Sequence, residues 1–209
     1  MPVRVYVGEK ANGKVEEMTN FDSKDTRRPP SGDLATRHER DGRSRAAFAA
    51  GCFWGVEASF REIEGVVSTT VGYTGGTAAD PTYELVCSDT TGHAEAVEVW
   101  FDPAVLSFDG LLNAFWSLHD PTTRNRQGWD FGSQYRSSIF FDDAEQQRLA
   151  IASRDRHQAP LGKPIVTEIV PASTFWPAEE YHQRYFEKHG GAVCATTIRR
   201  LDAPARAMT

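Results

Sequence analysis

The stretch Arg45-Ala46-Ala47-Phe48-Ala49-Ala50-Gly51-Cys52-Phe53-Trp54-Gly55-Val56-Glu57-Ala58-Ser59-Phe60 constrains the fold more than any other part of the chain. A short apolar run stops at a glycine, a cysteine follows at once, and then Val56, Phe60 and Ile63 recur at helical spacing with Glu57, Arg61 and Glu62 between them. This pattern reads as a buried strand, Ala46 to Ala50, turning sharply into a helix from Cys52 to about Glu64. Cys52 then stands in the first helical turn, where free N–H groups and the helix dipole favour a thiolate. Phe53 and Trp54 would lay an apolar floor beside it, a place suited to a small apolar ligand. The same residues also fit a buried cysteine in a turn flanked by two core aromatics, and this stretch alone leaves both readings open.

Further along, Gly65 to Tyr73 is rich in β-branched residues and reads as a strand running into Gly75-Gly76. Pro81 to Cys87 reads as a short helix, His93 to Phe101 as a strand, and Phe108 to His119 as an amphipathic helix. Asp120 to Gln134 is a long polar loop of the kind that is usually functional. Arg136 to Phe141 is a strand, Asp142-Asp143 caps a helix to about His157, Ile165 to Val170 is a strand, and Pro177 to Lys188 reads as the last helix. A tail after Gly190-Gly191 carries Cys194. The order β-α-β-β-α-β predicts an α/β (α+β) fold, a two-layer sandwich with a ferredoxin-like core, a mixed sheet and long functional loops.

Residues 1–44 differ from this body. From Lys24 to Ser44 the composition is Arg, Asp, Pro, Gly and Ser, with Pro29-Pro30, and buries little, so residues 1–44 read as an extended arm that Phe21 and Leu34 could anchor, ahead of a folded domain over 45–209. The net charge is −6 and no Lys/Arg run is long enough to follow a phosphate backbone, which argues against nucleic acid. No apolar run reaches the ~18 residues that span a bilayer. The N-terminus alternates Val with polar residues and lacks a signal core, so a cytoplasmic location is expected. Three cysteines in such a chain read as reduced or catalytic thiols rather than a disulfide scaffold.

Four features stand out together. Cys52 starts a helix. Glu95 interrupts the otherwise apolar Gly92-His93-Ala94-Glu95-Ala96-Val97, where burial would hold a proton on it near neutral pH, although alternation also allows it to face solvent. Gln127 to Arg136 places an acid, Asp130, near a phenol, Tyr135, or is ordinary loop polarity. Cys194 is a natural second thiol or an inert one.

The motifs Gly51-Cys52-Phe53-Trp54-Gly55, Thr91 to Val97, Gln134-Tyr135-Arg136-Ser137 and Phe175-Trp176-Pro177-Ala178-Glu179-Glu180-Tyr181-His182-Gln183, in this order across about residues 45 to 190, closely resemble the type A peptide methionine sulfoxide reductases. The resemblance implies reduction of the S epimer of methionine sulfoxide, free and in oxidised proteins, as a repair of oxidative damage. It implies that Cys52 attacks sulfur while Glu95 protonates the oxygen, that Tyr83 and Tyr135 donate hydrogen bonds to that oxygen, that Asp130 organises the polar side, and that Phe53 and Trp54 hold the methyl group. It further implies a Cys52 sulfenic acid resolved by Cys194, a disulfide reduced by thioredoxin, no metal or organic cofactor, and a monomer. Cys87 reads mainly as a buried packing thiol with a backup resolving role as the alternative, His93 as structural, and His182 and Gln183 as pins holding the last helix to the loops. Trp129 departs from the family, which usually has Asn there. Two rivals remain: a cysteine hydrolase with His93 or His119 as base, and a catalytically silent module that binds oxidised methionine. A zinc site from Cys87, His93 and Cys194 lacks close ligand spacing.

Overall fold

The structure is a computed structural model that describes residues 41–190. The proposed arm, with Phe21 and Leu34, and the tail with Cys194 lie outside the described residues.

Strand β1 (Ser44–Ala50) leads through Gly51 into helix α1 (Phe53–Arg61), then β2 (Val66–Thr74), α2 (Tyr83–Cys87), β3 (Ala94–Phe101) and α3 (Phe108–Leu118). After a hairpin of β4 (Arg126–Gln127) and β5 (Asp130–Phe131) come β6 (Ser137–Phe141), α4 (Ala144–Gln158), β7 (Glu168–Pro171), β8 (Trp176–Pro177) and α5 (Tyr185–His189). The six-stranded sheet runs β7-β6-β1-β3-β2-β8. All its neighbours are antiparallel except β6 and β7. Its centre, β6-β1-β3-β2, is the strand order of a ferredoxin-like β-α-β-β-α-β unit, so the expected fold class is the one observed.

The apolar density of β1 follows from its position. It is hydrogen-bonded on both sides and buried on both faces, so it cannot alternate with polar residues. Ala46, Phe48 and Ala50 face α1 and α3, where Phe48 stacks on Phe60 and Phe115 at ring separations of 5.1 and 5.3 Å. Ala47 and Ala49 face the other way, against Ala94, Ala96 and Phe140, and this second face is covered by Val170, Ala172 and Phe175. Helices α3 and α4 begin at the side-chain caps Ser107 and Asp143, which accept the N–H groups of Gly110 and Gln146.

Two elements differ from the sequence reading. The long loop contains the β4–β5 hairpin and a 3-10 turn, Ser133–Tyr135. The expected helix from Pro177 to Lys188 is confined to Tyr185–His189. Pro177 is instead paired opposite Gly72 in the edge strand β8. Gln183 then docks its amide on the β2 edge: Oε1 accepts the Val71 N–H and Nε2 donates to Val71 O, each at 2.9 Å. Arg184 takes a left-handed conformation (φ 53°) with its N–H donated to the buried Glu57. Tertiary hydrogen bonds to β2 and α1 take the backbone groups that a helix would have used, overriding local propensity.

Candidate active site

Gly51 turns the chain with φ +96°, and an added Cβ there would lie 2.7 Å from Gln127 Cγ, so the turn is closed on one side by the β4 hairpin. Cys52 occupies the N-cap of α1. The N–H groups of Trp54 and Gly55 point at its sulfur and act to lower its pKa, as the helix start predicts. Burial outweighs them. It pushes the thiol well above its usual range, with the Glu95 and Asp130 carboxyls adding in the same direction. The resting site therefore holds a thiol, not the thiolate that the helix start alone suggested.

Glu95 lies on β3 opposite Tyr73 of β2, on the same face as Val97, Val99 and Phe101, and is 2% exposed. Its Oε2 accepts the N–H of Phe53, the residue after Cys52, at 3.1 Å. Burial raises its pKa to about 8, against the lowering effect of that hydrogen bond, so the acid is protonated at neutral pH. Glu98, three residues on, points to the other face and pairs with Arg45 at 3.0 Å. Cys52, Asp130, Tyr83 and Tyr135 lie within electrostatic reach of Glu95. Both tyrosines are held protonated, chiefly by burial and next by Glu95, and so remain hydrogen-bond donors. Asp130 sits at the rim, where partial burial raises its pKa.

The two rings after Cys52 have different situations. Phe53 is buried against Tyr73 and His182, with ring centres 6.0 and 5.2 Å away, and forms the floor. Trp54 is half-buried and presents the open surface. Its indole stacks on Tyr185 at 3.9 Å, and its Nε1–H donates to His182 Nδ1 at 3.0 Å. His182 is thus a pin for Trp54. Burial drops its pKa to about 4, which keeps Nδ1 an acceptor at neutral pH. Replacing it with Phe is expected to cost about 1–2 kcal/mol of stability and to raise KM more than it lowers kcat. His182→Gln, which retains an acceptor, should recover most of both, as read by thermal melting and steady-state kinetics.

Cys87, expected as a buried packing thiol, is half-buried at the end of α2 and hydrogen-bonded to the Tyr83 hydroxyl, its pKa raised by burial to about 11. Cys194 lies outside the described residues. The histidines a hydrolase would need are occupied. His93 accepts the Gly76 N–H through Nδ1 and donates from Nε2 to Ala78 O, as befits the structural role expected of it. His119 is buried between Phe115 O and Ser137 Oγ, with a pKa lowered by burial to about 4.

Sequence reasoning passed over three residues that build the site. Glu179 accepts the Tyr73 hydroxyl and the Tyr83 N–H, at 2.9 and 3.0 Å, and so ties α2 to the sheet. Arg136 donates to Ser133 O, Gly92 O and Glu168, joining the 3-10 turn, the loop before β3 and the start of β7. Glu57, 2% exposed, accepts from Thr69 and from the Arg184 N–H. Arg136 and Glu179 lie within the motifs that carry the resemblance; for Glu57 the only signal was a charge inside an apolar pattern, which it shares with many exposed helix residues.

This arrangement, with a cysteine at a helix start, a protonated buried carboxyl bonded to the next backbone N–H and two phenols, suits attack on a polarised sulfur–oxygen bond. The family model described as peptide methionine sulfoxide reductase matches residues 44–208. The chain is 59% identical over 152 residues to the peptide methionine sulfoxide reductase MsrA of Geobacter sulfurreducens, covering 72% of this chain and 94% of that protein. Among solved structures, methionine sulfoxide reductase A of Corynebacterium diphtheriae superposes with a TM-score of 0.70 at 36% identity, over 73% of this chain and 77% of that one. Mxr1 of Saccharomyces cerevisiae in complex with Trx2 matches with a TM-score of 0.50 at 28% identity, over 68% and 84%. With the family model spanning most of its length and this level of identity to a full-length relative, the chain belongs to the peptide methionine sulfoxide reductases of type A.

Proposed function

We propose that this reductase acts on the S epimer of methionine sulfoxide, free and within proteins, through a sulfenic acid on Cys52. The observation that carries this reading is the placement of protonated Glu95 under the Cys52 turn, where its carboxyl binds the next backbone N–H at 3.1 Å. A sulfoxide sulfur accepts a nucleophile only when its oxygen is protonated or strongly hydrogen-bonded. Glu95 gives that oxygen a proton, with Tyr83 and Tyr135 as further donors, and Trp54 receives the methyl group. With Glu95 neutral, the charge that most opposes ionisation of Cys52, after burial itself, is absent. The Cys52 sulfur attacks the substrate sulfur, and its thiol proton replaces the one Glu95 gave up; the hydroxyl then passes to the Cys52 sulfur, so that a Cys52 S–O bond forms as the substrate S–O bond and the transient bond between the two sulfurs break. In net terms a thiol and a sulfoxide become Cys52–SOH and methionine.

Cys194 then attacks the sulfenic sulfur, water leaves, and a Cys52–Cys194 disulfide forms, which a thioredoxin dithiol reduces. The complex of the related yeast protein with Trx2 supports the choice of reductant. The enzyme works as a cytoplasmic monomer on oxidised proteins, repairing oxidative damage. A thioredoxin-coupled assay on the separated epimers tests the scheme. The parent should turn over the S epimer only. Cys194→Ser should release about one methionine per enzyme and stall until a small dithiol is added. Steady thioredoxin-driven turnover by that variant would remove Cys194 and point to Cys87.

A further inference from the structure

Asp89 lies two residues beyond α2, exposed, in a left-handed conformation (φ +59°) that residues with side chains seldom adopt and that Asp tolerates better than most. Its N–H closes the end of α2 on Val86 O at 3.0 Å. Its side chain reaches a distant part of the chain: Oδ1 accepts the Ser133 N–H at 3.1 Å and the Ser133 hydroxyl as well. Left-handed strain at a non-glycine position persists where the surroundings require it.

Ser133 opens the 3-10 turn Ser133–Tyr135. Gly132, the residue before it, has no side chain to cap that turn, so Asp89 supplies the acceptor from another element. On the far side of the turn, Arg136 donates to Ser133 O at 2.9 Å and to Gly92 O at 3.1 Å. A single attachment would leave the turn free to pivot; two fix its orientation. The elements joined in this way carry the two phenols. Tyr83 is the first residue of α2 and Tyr135 the last of the 3-10 turn, and both hydroxyls lie within electrostatic reach of Glu95 and Cys87. A sulfoxide oxygen is one small acceptor. Two O–H donors serve it together only where both stand about 2.5–3.0 Å from it. A misplacement of ~1 Å can cost about 10²-fold in rate.

We propose that Asp89 is a positioning residue: by holding the Ser133 turn to the end of α2, it sets the spacing at which Tyr83 and Tyr135 converge on the sulfoxide oxygen. It touches neither the substrate nor the reacting atoms. The inference rests on the donor roles given to the phenols in the preceding section, and its test separates the two. Asp89→Gly accepts the left-handed backbone without strain and removes the carboxylate. Asp89→Asn also tolerates that backbone and keeps an acceptor oxygen for Ser133. Each is placed in three full-length chains: the parent, Tyr83→Phe, and Tyr83→Phe/Tyr135→Phe. The readout is the rate of methionine formation from S-epimer N-acetylmethionine sulfoxide amide in a single turnover, with enzyme in excess and no reductant. In the parent the phenols back each other up, so Asp89→Gly should slow the step about threefold. With Tyr135 as the remaining phenol the loss should grow to about tenfold. With both phenols gone nothing is left to position, and the loss should fall below about twofold. Asp89→Asn should stay within about twofold of its own background in all three.

An equal loss from Asp89→Gly in all three chains overturns the proposal, because a general loosening of the fold does not depend on the phenols. So does a loss below twofold in the Tyr83→Phe chain. An Asn variant as slow as the Gly variant assigns the effect to charge and overturns it too. A chain lacking both phenols that is as fast as the parent defeats the donor reading of the preceding section, whatever Asp89 does. Should Asp89→Gly fail to fold by circular dichroism, Ser133→Ala, which gives up only the hydroxyl bond, carries the same comparison, with an expected loss of about threefold in the Tyr83→Phe chain.

Discussion

A Cys52→Ser chain mixed with methionine sulfoxide and any thiol reductant is expected to form methionine at least about 10³-fold more slowly than the parent. The serine hydroxyl can take the same Trp54 and Gly55 N–H groups that point at the sulfur, so the turn and the thermal melt should be preserved. The oxygen nucleophile is far weaker, and no sulfenic acid can form on it. A dimedone-type trap followed by mass spectrometry should label position 52 in the parent after one equivalent of sulfoxide and leave the serine chain unlabelled. Full activity in the serine chain would move the nucleophile to Cys87, the other described thiol beside Tyr83.

The second large effect concerns Glu95. Glu95→Ala removes both the proton and the hydrogen-bond donor, and kcat should fall about 10²–10³-fold. Glu95→Gln keeps a donor and an acceptor for the Phe53 N–H, and should stay within about tenfold of the parent. The pH profile separates proton transfer from mere polarity. With a pKa of about 8, the acid form of Glu95 is lost as pH rises through 8, so the parent rate should fall on that limb and the Gln variant should lack it.

The same shift predicts a stability difference. The unfolded chain releases this proton near pH 4.5, whereas the folded chain keeps it to about pH 8. Between those values the folded state binds more protons, so stability declines as pH rises through the window. Glu95→Gln carries no such proton. It should melt above the parent at pH 9 and close to it at pH 4. A parent whose melting temperature is insensitive to this window would show that Glu95 is ionised in the fold.

Much of the core was legible along the chain. The apolar run ending at Gly51-Cys52, the β-branched stretch before Gly75, the amphipathic helix over 108–118 and the helix capped at Asp143 each follow a local rule of periodicity or capping, and each formed where the pattern placed it. Together with the four motifs they indicated a ferredoxin-like core and this reductase family. Local rules failed where distant partners decided the backbone. The segment after Pro177 has helical composition, but Gln183 finds the Val71 edge and Arg184 finds Glu57, so the helix shrinks to one turn. The hairpin at 126–131 has no apolar period because its rings face solvent.

Glu95 and Glu98 mark the boundary most clearly. Both interrupt one apolar strand, and in sequence they look alike. The turn that holds Cys52 belongs to the sequence, because a strand-to-helix turn is a local property, whereas the grouping of Cys52 with Glu95, Tyr83 and Tyr135 was only what the family resemblance implied. Which carboxyl sits under the cysteine, holding its proton, and which pairs with Arg45 on the other face was settled by the register of β3 against β2 and β1. Strand register is a long-range choice, and burial from water, which raises the pKa of Glu95, exists only once that choice has been made.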